Sequence, residues 1–183
     1  MPDKRCQNLS VDRASGKYWE REFCVMAYKR GKIFTPHQWQ RSESAVAYGK
    51  HFKFLTLPDV TIWSSPGEHH EIKNKNPSKR GYYGLEKYRI DALVEFDKAC
   101  IGDVLYTIHN WEKAGLKNGK QEGENRIEDW FCSLCHELYE TPDYKNHNDT
   151  SWVNGVQRTD IEIWYWEAER FYPLSSYWGI TNA

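Results

Sequence analysis

No apolar stretch in the chain is longer than Phe23 to Tyr28, far short of the roughly 20 residues that span a bilayer, so no membrane segment is expected. The opening Met1-Pro-Asp-Lys-Arg-Cys puts no apolar core behind its charges. A secretory signal is therefore not expected, and an intracellular, cytoplasmic protein is. Charge of one sign is also lacking: 25 Lys/Arg stand against 26 Asp/Glu, a net charge of −1, so bulk charge selects no partner. The five cysteines are an odd number without a secretory context, which makes reduced thiols the default. Neither Gly-x-Ser-x-Gly nor a Gly-Lys-Ser/Thr phosphate loop occurs, and no His stands in a nucleophile–base pattern. Acyl-enzyme chemistry and nucleoside triphosphate use are disfavoured accordingly.

What the sequence does have is aromatic mass: 9 Trp, 12 Tyr and 7 Phe, 15% of the 183 residues. Such rings each bury a large area, which argues against disorder, and a chain of this length fits one domain. We read residues 1–14 as a loose polar segment and 15–183 as a single domain. Charge is uneven along it. Residues 1–53 carry 11 Lys/Arg against 5 Asp/Glu, whereas residues 126–183 carry 4 against 10. A polarised chain can present a basic face to an anionic ligand, or the two halves can mix on the folded surface.

Cys132-x-x-Cys135 followed by His136 has the look of half a zinc site, but no second Cys/His pair stands at ligand spacing. It lies within Ile127, Trp130, Leu134 and Leu138, at helical spacing, so buried thiols on a helix from Asn125 to Tyr139 are the expectation, with Asn125 and Glu128 as a capping box. Upstream, a helix opening at Ser15-Gly16 shows an apolar face of Trp19, Phe23, Met26 and Ala27 and closes at Gly31. Residues 32–49 read as irregular, with a short helix around Ser44–Tyr48. His51–Leu57 alternates as a strand, Asp59–Trp63 is a second, and the turn Ser64-Ser-Pro-Gly67 leads into a third, Glu68–Lys75. Leu85, Tyr88, Ala92 and Phe96 predict a helix over 85–98, Gly102–His109 a strand, residues 112–124 a polar loop, and Thr159–Trp166 a last strand. The order α-β-β-β-α-β, plus a C-terminal helix and strand, predicts an α/β fold with a mixed central β-sheet flanked by helices.

Asp59, Glu71 and Lys73 are the candidate chemistry. Residues two apart on a strand share a face, so Glu71 and Lys73 project together, and the turn brings Asp59 opposite them. Two carboxylates at one spot repel unless a cation sits between them, and hard oxygen ligands suit Mg²⁺ or Mn²⁺. An ammonium beside that metal can hold a water and stabilise a phosphorane-like transition state. An acid-x-Lys on a strand is also the pattern of an ion pair on a wet face. The context sharpens it: Pro-Asp at a strand start, a tight turn, then Glu-Ile-Lys. His69 shares the face of Glu71 and Lys73 and approaches from the far end, His70 points to the other face as a structural residue, and His109 ends a strand at the cleft.

Leu57-Pro58-Asp59 followed by Glu71-Ile72-Lys73 resembles the signature of the PD-(D/E)XK nuclease superfamily, the restriction-endonuclease-like fold. The resemblance covers roughly residues 15–110, with 111–183 a C-terminal elaboration. It implies a Mg²⁺-dependent nuclease, with Mn²⁺ able to substitute, that hydrolyses DNA phosphodiesters as an endonuclease and leaves 5′-phosphate and 3′-hydroxyl ends. Asp59 and Glu71 would be metal ligands, the Ile72 carbonyl a third, and Lys73 would position the attacking water. The family often adds a carboxylate from the first helix. Periodicity leaves Glu20 and Glu22 equivalent about the apolar face; the resemblance favours Glu20. Past the catalytic strand, Lys75, Lys79, Arg80 and Tyr82 form a basic, aromatic stretch suited to phosphates and bases. Arg89 on the next helix is assigned to phosphate contact, with a salt bridge to a helix neighbour as its alternative. Where some relatives carry Gln and Tyr on that helix, this chain has Glu86-Lys87-Tyr88-Arg89. Cleavage of both strands would favour a homodimer. Two further readings stand beside this one: a nucleic-acid-binding module without turnover, and a zinc-stabilised interaction protein resting on Cys132, Cys135 and His136.

Overall fold

The computed structural model describes residues 9–37, 57–116, 124–153 and 156–180. Helix α1 (Leu9–Lys29) leads into strand β1 (Ile33–Pro36), followed by β2 (Val60–Trp63), β3 (Glu68–Asn74) and β4 (Tyr82–Glu86). Helix α2 (Lys87–Ala99), β5 (Asp103–His109), β6 (Trp130–Leu134) and α3 (Cys135–Glu140) come next. The chain then forms β7 (Tyr144–Val153), β8 (Val156–Glu167), β9 (Tyr172–Pro173) and α4 (Leu174–Tyr177). A mixed six-stranded sheet runs β1-β2-β3-β5-β6-β9, and a smaller one runs β4-β8-β7. Only β3 and β5 pair in parallel within the large sheet's described pairings, because α2 carries the chain back between them.

Strand alternation divides the interior in two. Val104, Tyr106 and Ile108 of β5 join Ile90, Leu93, Cys135, Trp164 and Trp166 under α2, α3 and the small sheet. Leu105 turns the other way, to Trp19, Phe23, Met26, Ile72, Trp130 and Cys132 under α1. The α1 face read from the sequence is thus its buried face. Gly31 ends that helix with φ +72°, the left-handed conformation that lets Lys32 N–H return to the Ala27 carbonyl.

Within the large sheet the α-β-β-β-α-β order holds, with β4 of the small sheet inserted before α2, but several boundaries differ. Helix α1 starts at Leu9, inside the segment read as loose, since helix formation there needs no apolar periodicity. The first of the three strands is β1, within the stretch read as irregular; Pro36 is tolerated there because β1 is an edge strand. The expected helix at Ser44–Tyr48 and the expected strand residues 51–56 lie outside the described residues, and Leu57 is not in a strand. Leu85 belongs to β4 rather than to the helix, whose buried face is Ile90, Leu93, Val94 and Phe96, leaving Tyr88 half exposed. Residues 125–139 are not one helix. A 3-10 turn over Ile127–Asp129 precedes β6, where Trp130 and Cys132 alternate into the α1 core. Asn125 is no capping box: its amide donates to the Glu22 carbonyl and its oxygen accepts from Trp130 Nε1. The zinc reading falls with that helix. Cys132 and Cys135 pack into opposite cores, and His136 sits 3.5 Å from Asp97.

Candidate active site

Pro58 carries no N–H and closes off the chain before β2, so Asp59 arrives just where β2 starts. Its N–H donates to the His70 carbonyl (2.9 Å), and its own carbonyl accepts from His37 N–H (2.8 Å). Pairing between β2 and β3 runs as far as Val60 and His70. Beyond that point the Ile72 N–H has no β2 residue opposite it, and Asp59 Oδ2 takes it at 2.8 Å. In a strand, a residue's carbonyl points to the same side as its N–H. The Ile72 carbonyl therefore faces the Asp59 edge.

Glu71 and Lys73 lie opposite Tyr106 and Ile108 of β5 and share their face, toward α2. Arg89 of α2 meets Glu71 there. Its Nε lies 2.8 Å from Oε1, its Nη2 bonds to Oε2, and Lys73 Nζ is 2.6 Å from Oε1. The Glu71 carboxylate is fully buried, whereas the Lys73 side chain is about one-third exposed, so the cluster opens to solvent at the Lys73 end. Burial pulls the Lys73 pKa down, but Glu71 and Asp59 outweigh it and hold the ammonium above its ordinary value. Arg89 is raised for the same reasons. Two carboxylates and two cations thus share one end of β3, and a buried pair of this kind is costly to break by removing one partner.

The sequence-read residues divide. Asp59, Glu71, Ile72 and Lys73 come together. Glu20 is half-buried on α1, against the opposite face of β3, and among the described residues no three His, Cys, Asp or Glu side chains group as a metal cage. Glu22 Oε2 and its carbonyl engage Asn125, at 3.3 and 2.6 Å, which gives that residue a structural role. Lys75 is turned inward: its Nζ bonds the Gly84 carbonyl and lies 5.6 Å from the centre of the Tyr106 ring. Burial brings its pKa down to about 8. Arg89 is likewise committed to Glu71, 18 residues away, and not to a helix neighbour. Lys79 and Arg80 are exposed, and Tyr82 is half-buried with its hydroxyl 3.4 Å from Glu167.

His69 is no metal approach. Its Nδ1 lies 2.9 Å from Thr61 Oγ1 and its ring meets Phe96 edge-on. His70 is structural, with Nδ1 2.8 Å from Thr107 Oγ1. His109 stacks on Trp19 at 3.5 Å, and burial holds its pKa down to about 3, so it is neutral packing rather than a cleft residue. The sequence reading missed Glu68. This second buried glutamate of β3 takes Lys32 Nζ (2.9 Å), Trp178 Nε1 (2.7 Å) and His70 Nε2 (3.2 Å). Glu68 opens β3 in the run Glu-His-His-Glu, with no apolar neighbour to mark it as buried, so no local pattern announces its need for partners.

Asp59 Oδ2 and the Ile72 carbonyl lie at one edge of β3, and the Glu71 carboxylate, its oxygens met by Arg89 and Lys73, acts with Asp59 on the same two cations. Mg²⁺ is ordinarily held by one or two carboxylates with waters completing its octahedron, so this donor set fits it without a third acid.

No protein-family model and no curated protein matches the sequence. Among solved structures, the chain is similar to Hjc, a Holliday junction resolvase from the archaeal hyperthermophile Archaeoglobus fulgidus. The TM-score is 0.52 at 11% identity, over 92% of this chain and 98% of that one. At that identity the likeness is one of fold. The mixed α/β architecture with its central sheet and flanking helices is a resolvase-like, restriction-endonuclease-like fold.

Proposed function

We propose that the protein is a divalent-metal-dependent nuclease that hydrolyses DNA phosphodiesters, acting as an endonuclease. The observation that carries the proposal is the meeting of Asp59, Glu71 and Lys73 at the end of β3 in a fold shared with a resolvase. Asp59, Glu71 and the Ile72 carbonyl would hold Mg²⁺, or Mn²⁺ in its place, with Glu20 as the helix carboxylate. Such an ion lowers the pKa of a bound water and polarises a phosphoryl oxygen.

The chain's own residues supply the rest. Lys73 stays an ammonium across the neutral range, so it acts as a fixed positive charge rather than as a base. It orients the attacking water and offsets negative charge growing on the phosphate oxygens. Attack on phosphorus breaks the bond to the 3′ oxygen, leaving a 3′-hydroxyl and a 5′-phosphate. Arg89 is a positioning residue: its bidentate grip sets the Glu71 carboxylate plane. Lys79 and Arg80 on the exposed loop after β3, with Tyr82 at the start of β4, would meet the DNA backbone. Residues 15–183 would act as one unit in the cytoplasm, as a homodimer where both strands are cut. No described helix is long and apolar enough to cross a membrane.

One observation favours the second reading, a binding module without turnover: Arg89 and Lys73 already neutralise Glu71 without a metal. Incubation with plasmid, linear and branched DNA, with and without Mg²⁺ or Mn²⁺, decides. Metal-dependent strand scission lost in Asp59→Asn supports the nuclease, and DNA binding without scission under every metal supports the module.

A further inference from the structure

A cavity of about 500 Å³ lies between the loop that follows β3 and the small sheet, lined among others by Lys79, Arg80, Tyr82, Tyr144, Asn146 and Tyr165. Its size is that of a small-ligand site. Its aromatic wall is fixed in place. A Cβ at Gly84 would come within 2.6 Å of the Tyr165 ring, so this cross-strand glycine is what lets the ring lie against β4. The Tyr165 hydroxyl donates to Asp149, which also accepts the Asn146 amide at 3.0 Å. Tyr144 stands beside it, with ring centres 5.7 Å apart at 38°, and is 54% exposed. Two exposed cations, Lys79 and Arg80, border these rings; the acid in the lining, Asp143, is met by Arg170 at 3.3 Å, and the Asp149 carboxylate is taken up by the Tyr165 hydroxyl and the Asn146 amide.

We propose that this pocket holds the base of an unpaired nucleotide, with Lys79 and Arg80 on the flanking phosphates. Paired bases inside a duplex are stacked on both faces and present none to a tyrosine ring, whereas a single-stranded base does, and aromatic platforms beside cations are how single strands are held. The inference rests on the nuclease reading and sharpens its substrate to DNA with a single-stranded segment beside the cut. The reach follows from the chain. Lys73 and Ser78 are five positions apart, a span of at most roughly 18 Å, which covers about five steps of a stacked strand at about 3.4 Å each and fewer of an extended one. The unpaired base therefore falls within about five nucleotides of the scissile phosphate.

Full-length protein without divalent metal is titrated by fluorescence anisotropy against a duplex and the same duplex bearing five-thymidine 5′ or 3′ overhangs. One overhang should bind on the order of tenfold tighter. Tyr144→Ala should erase that preference and Tyr144→Phe, which keeps the ring, should retain it. Equal affinity for duplex and both overhangs, or a preference that survives Tyr144→Ala, overturns the pocket. The nuclease reading fails separately. Overhang preference with no scission under Mg²⁺ or Mn²⁺ keeps the pocket and removes the nuclease, while scission with no overhang preference does the reverse.

Discussion

Two buried glutamates, Glu68 and Glu71, stand three residues apart on β3 and face opposite cores. Glu68 has one ammonium, from Lys32, and neutral donors: the Trp178 indole and His70. A carboxylate can only accept, so His70 Nε2 carries the proton and its Nδ1 accepts from Thr107. Burial also holds His70 below its ordinary pKa, although Glu68 works against this. One negative charge meets one positive charge, and the remaining bonds are neutral. Around Glu71 there is a second carboxylate, Asp59, a second cation, Arg89, and an opening to solvent at Lys73. The same residue type on the same strand is locked among neutral donors and one ammonium in one environment and set beside a second acid and two cations in the other. A buried acid is thus not by itself a sign of chemistry; a second acid, Asp59, and a partly exposed cation, Lys73, are what separate the two.

The largest expected effect separates them outright. Asp59→Asn should reduce metal-dependent scission to background, because it removes metal charge while an amide oxygen can still accept the Ile72 N–H. Its thermal unfolding should stay near wild type. Glu71→Gln should also lose scission, but it strips Arg89 and Lys73 of their counter-ion and should cost stability as well, on the order of 3–5 kcal/mol. Plasmid nicking and denaturant unfolding measure the two effects. Scission by Asp59→Asn at the wild-type rate would remove the metal assignment and with it the contrast with Glu68.

Lys73→Ala comes next. Losing one electrostatic donor should lower the single-turnover rate roughly 10²–10³-fold, with DNA affinity slightly reduced, since one phosphate contact is a small share of the total. Lys79→Ala and Arg80→Ala should do the opposite, weakening binding and flattening its salt dependence while the saturated rate holds. A Lys73→Ala protein that loses affinity and keeps its saturated rate would make Lys73 a phosphate clamp.

The Glu68 side predicts a stability effect of smaller size. Burial would raise the pKa of this carboxyl, but hydrogen bonds from His70, Lys32 and Trp178 hold it at about 2, below the ordinary 4.5. A carboxyl whose folded pKa is lowered stabilises the fold above its unfolded value and loses that contribution as pH falls. The loss runs from about pH 4.5 down to about 2 and amounts to about 3 kcal/mol. Glu68→Gln should be less stable than wild type at pH 7 and converge with it only as the pH falls to about 2, while the scission rate per folded molecule is kept. Denaturant midpoints across that range test it, and a constant gap would show that the ion pair is not its source.

The half of the site made by local rules was open to reading. Period-two alternation put Glu71 and Lys73 on one face, Pro58 and the Ser64–Gly67 turn brought Asp59 to them, and the α1 face followed from helical spacing. The rest depends on contacts that no local period encodes. Arg89 reaches Glu71 across the α2 packing, and nothing near position 89 announces it. Ile127, Trp130, Leu134 and Leu138 satisfy a helical spacing, yet Trp130 and Cys132 also alternate as a strand, and docking against β5 decided in favour of β6. Tyr144–Val153 is too polar to show a strand pattern and is held by its β8 partner instead. Lys75 reads as a phosphate contact because it opens the basic, aromatic stretch past Lys73; the approach of β4 gives its ammonium the Gly84 carbonyl instead.

The smallest expected effect asks whether the Glu68 side contributes to the chemistry of the other. Glu20 rides on α1, which packs on that side through Phe23 against His70, with ring centres 4.7 Å apart. If Glu20 serves the metal, it does so from the helix edge as an outer partner. Glu20→Gln should then raise the Mg²⁺ concentration needed for half-maximal scission on the order of tenfold, the scale of losing an outer-shell partner, with the rate at saturating Mg²⁺ nearly kept. Glu22→Gln is the matched control. Its carboxylate engages Asn125, which in turn holds Trp130, so it should lower the unfolding midpoint slightly and leave the Mg²⁺ dependence in place. Mg²⁺ titrations of scission and thermal unfolding, run on both variants, separate the two carboxylates that periodicity leaves equivalent. A shift in Glu22→Gln and none in Glu20→Gln would reverse the assignment, and a shift in neither would confine the metal to Asp59, Glu71 and the Ile72 carbonyl.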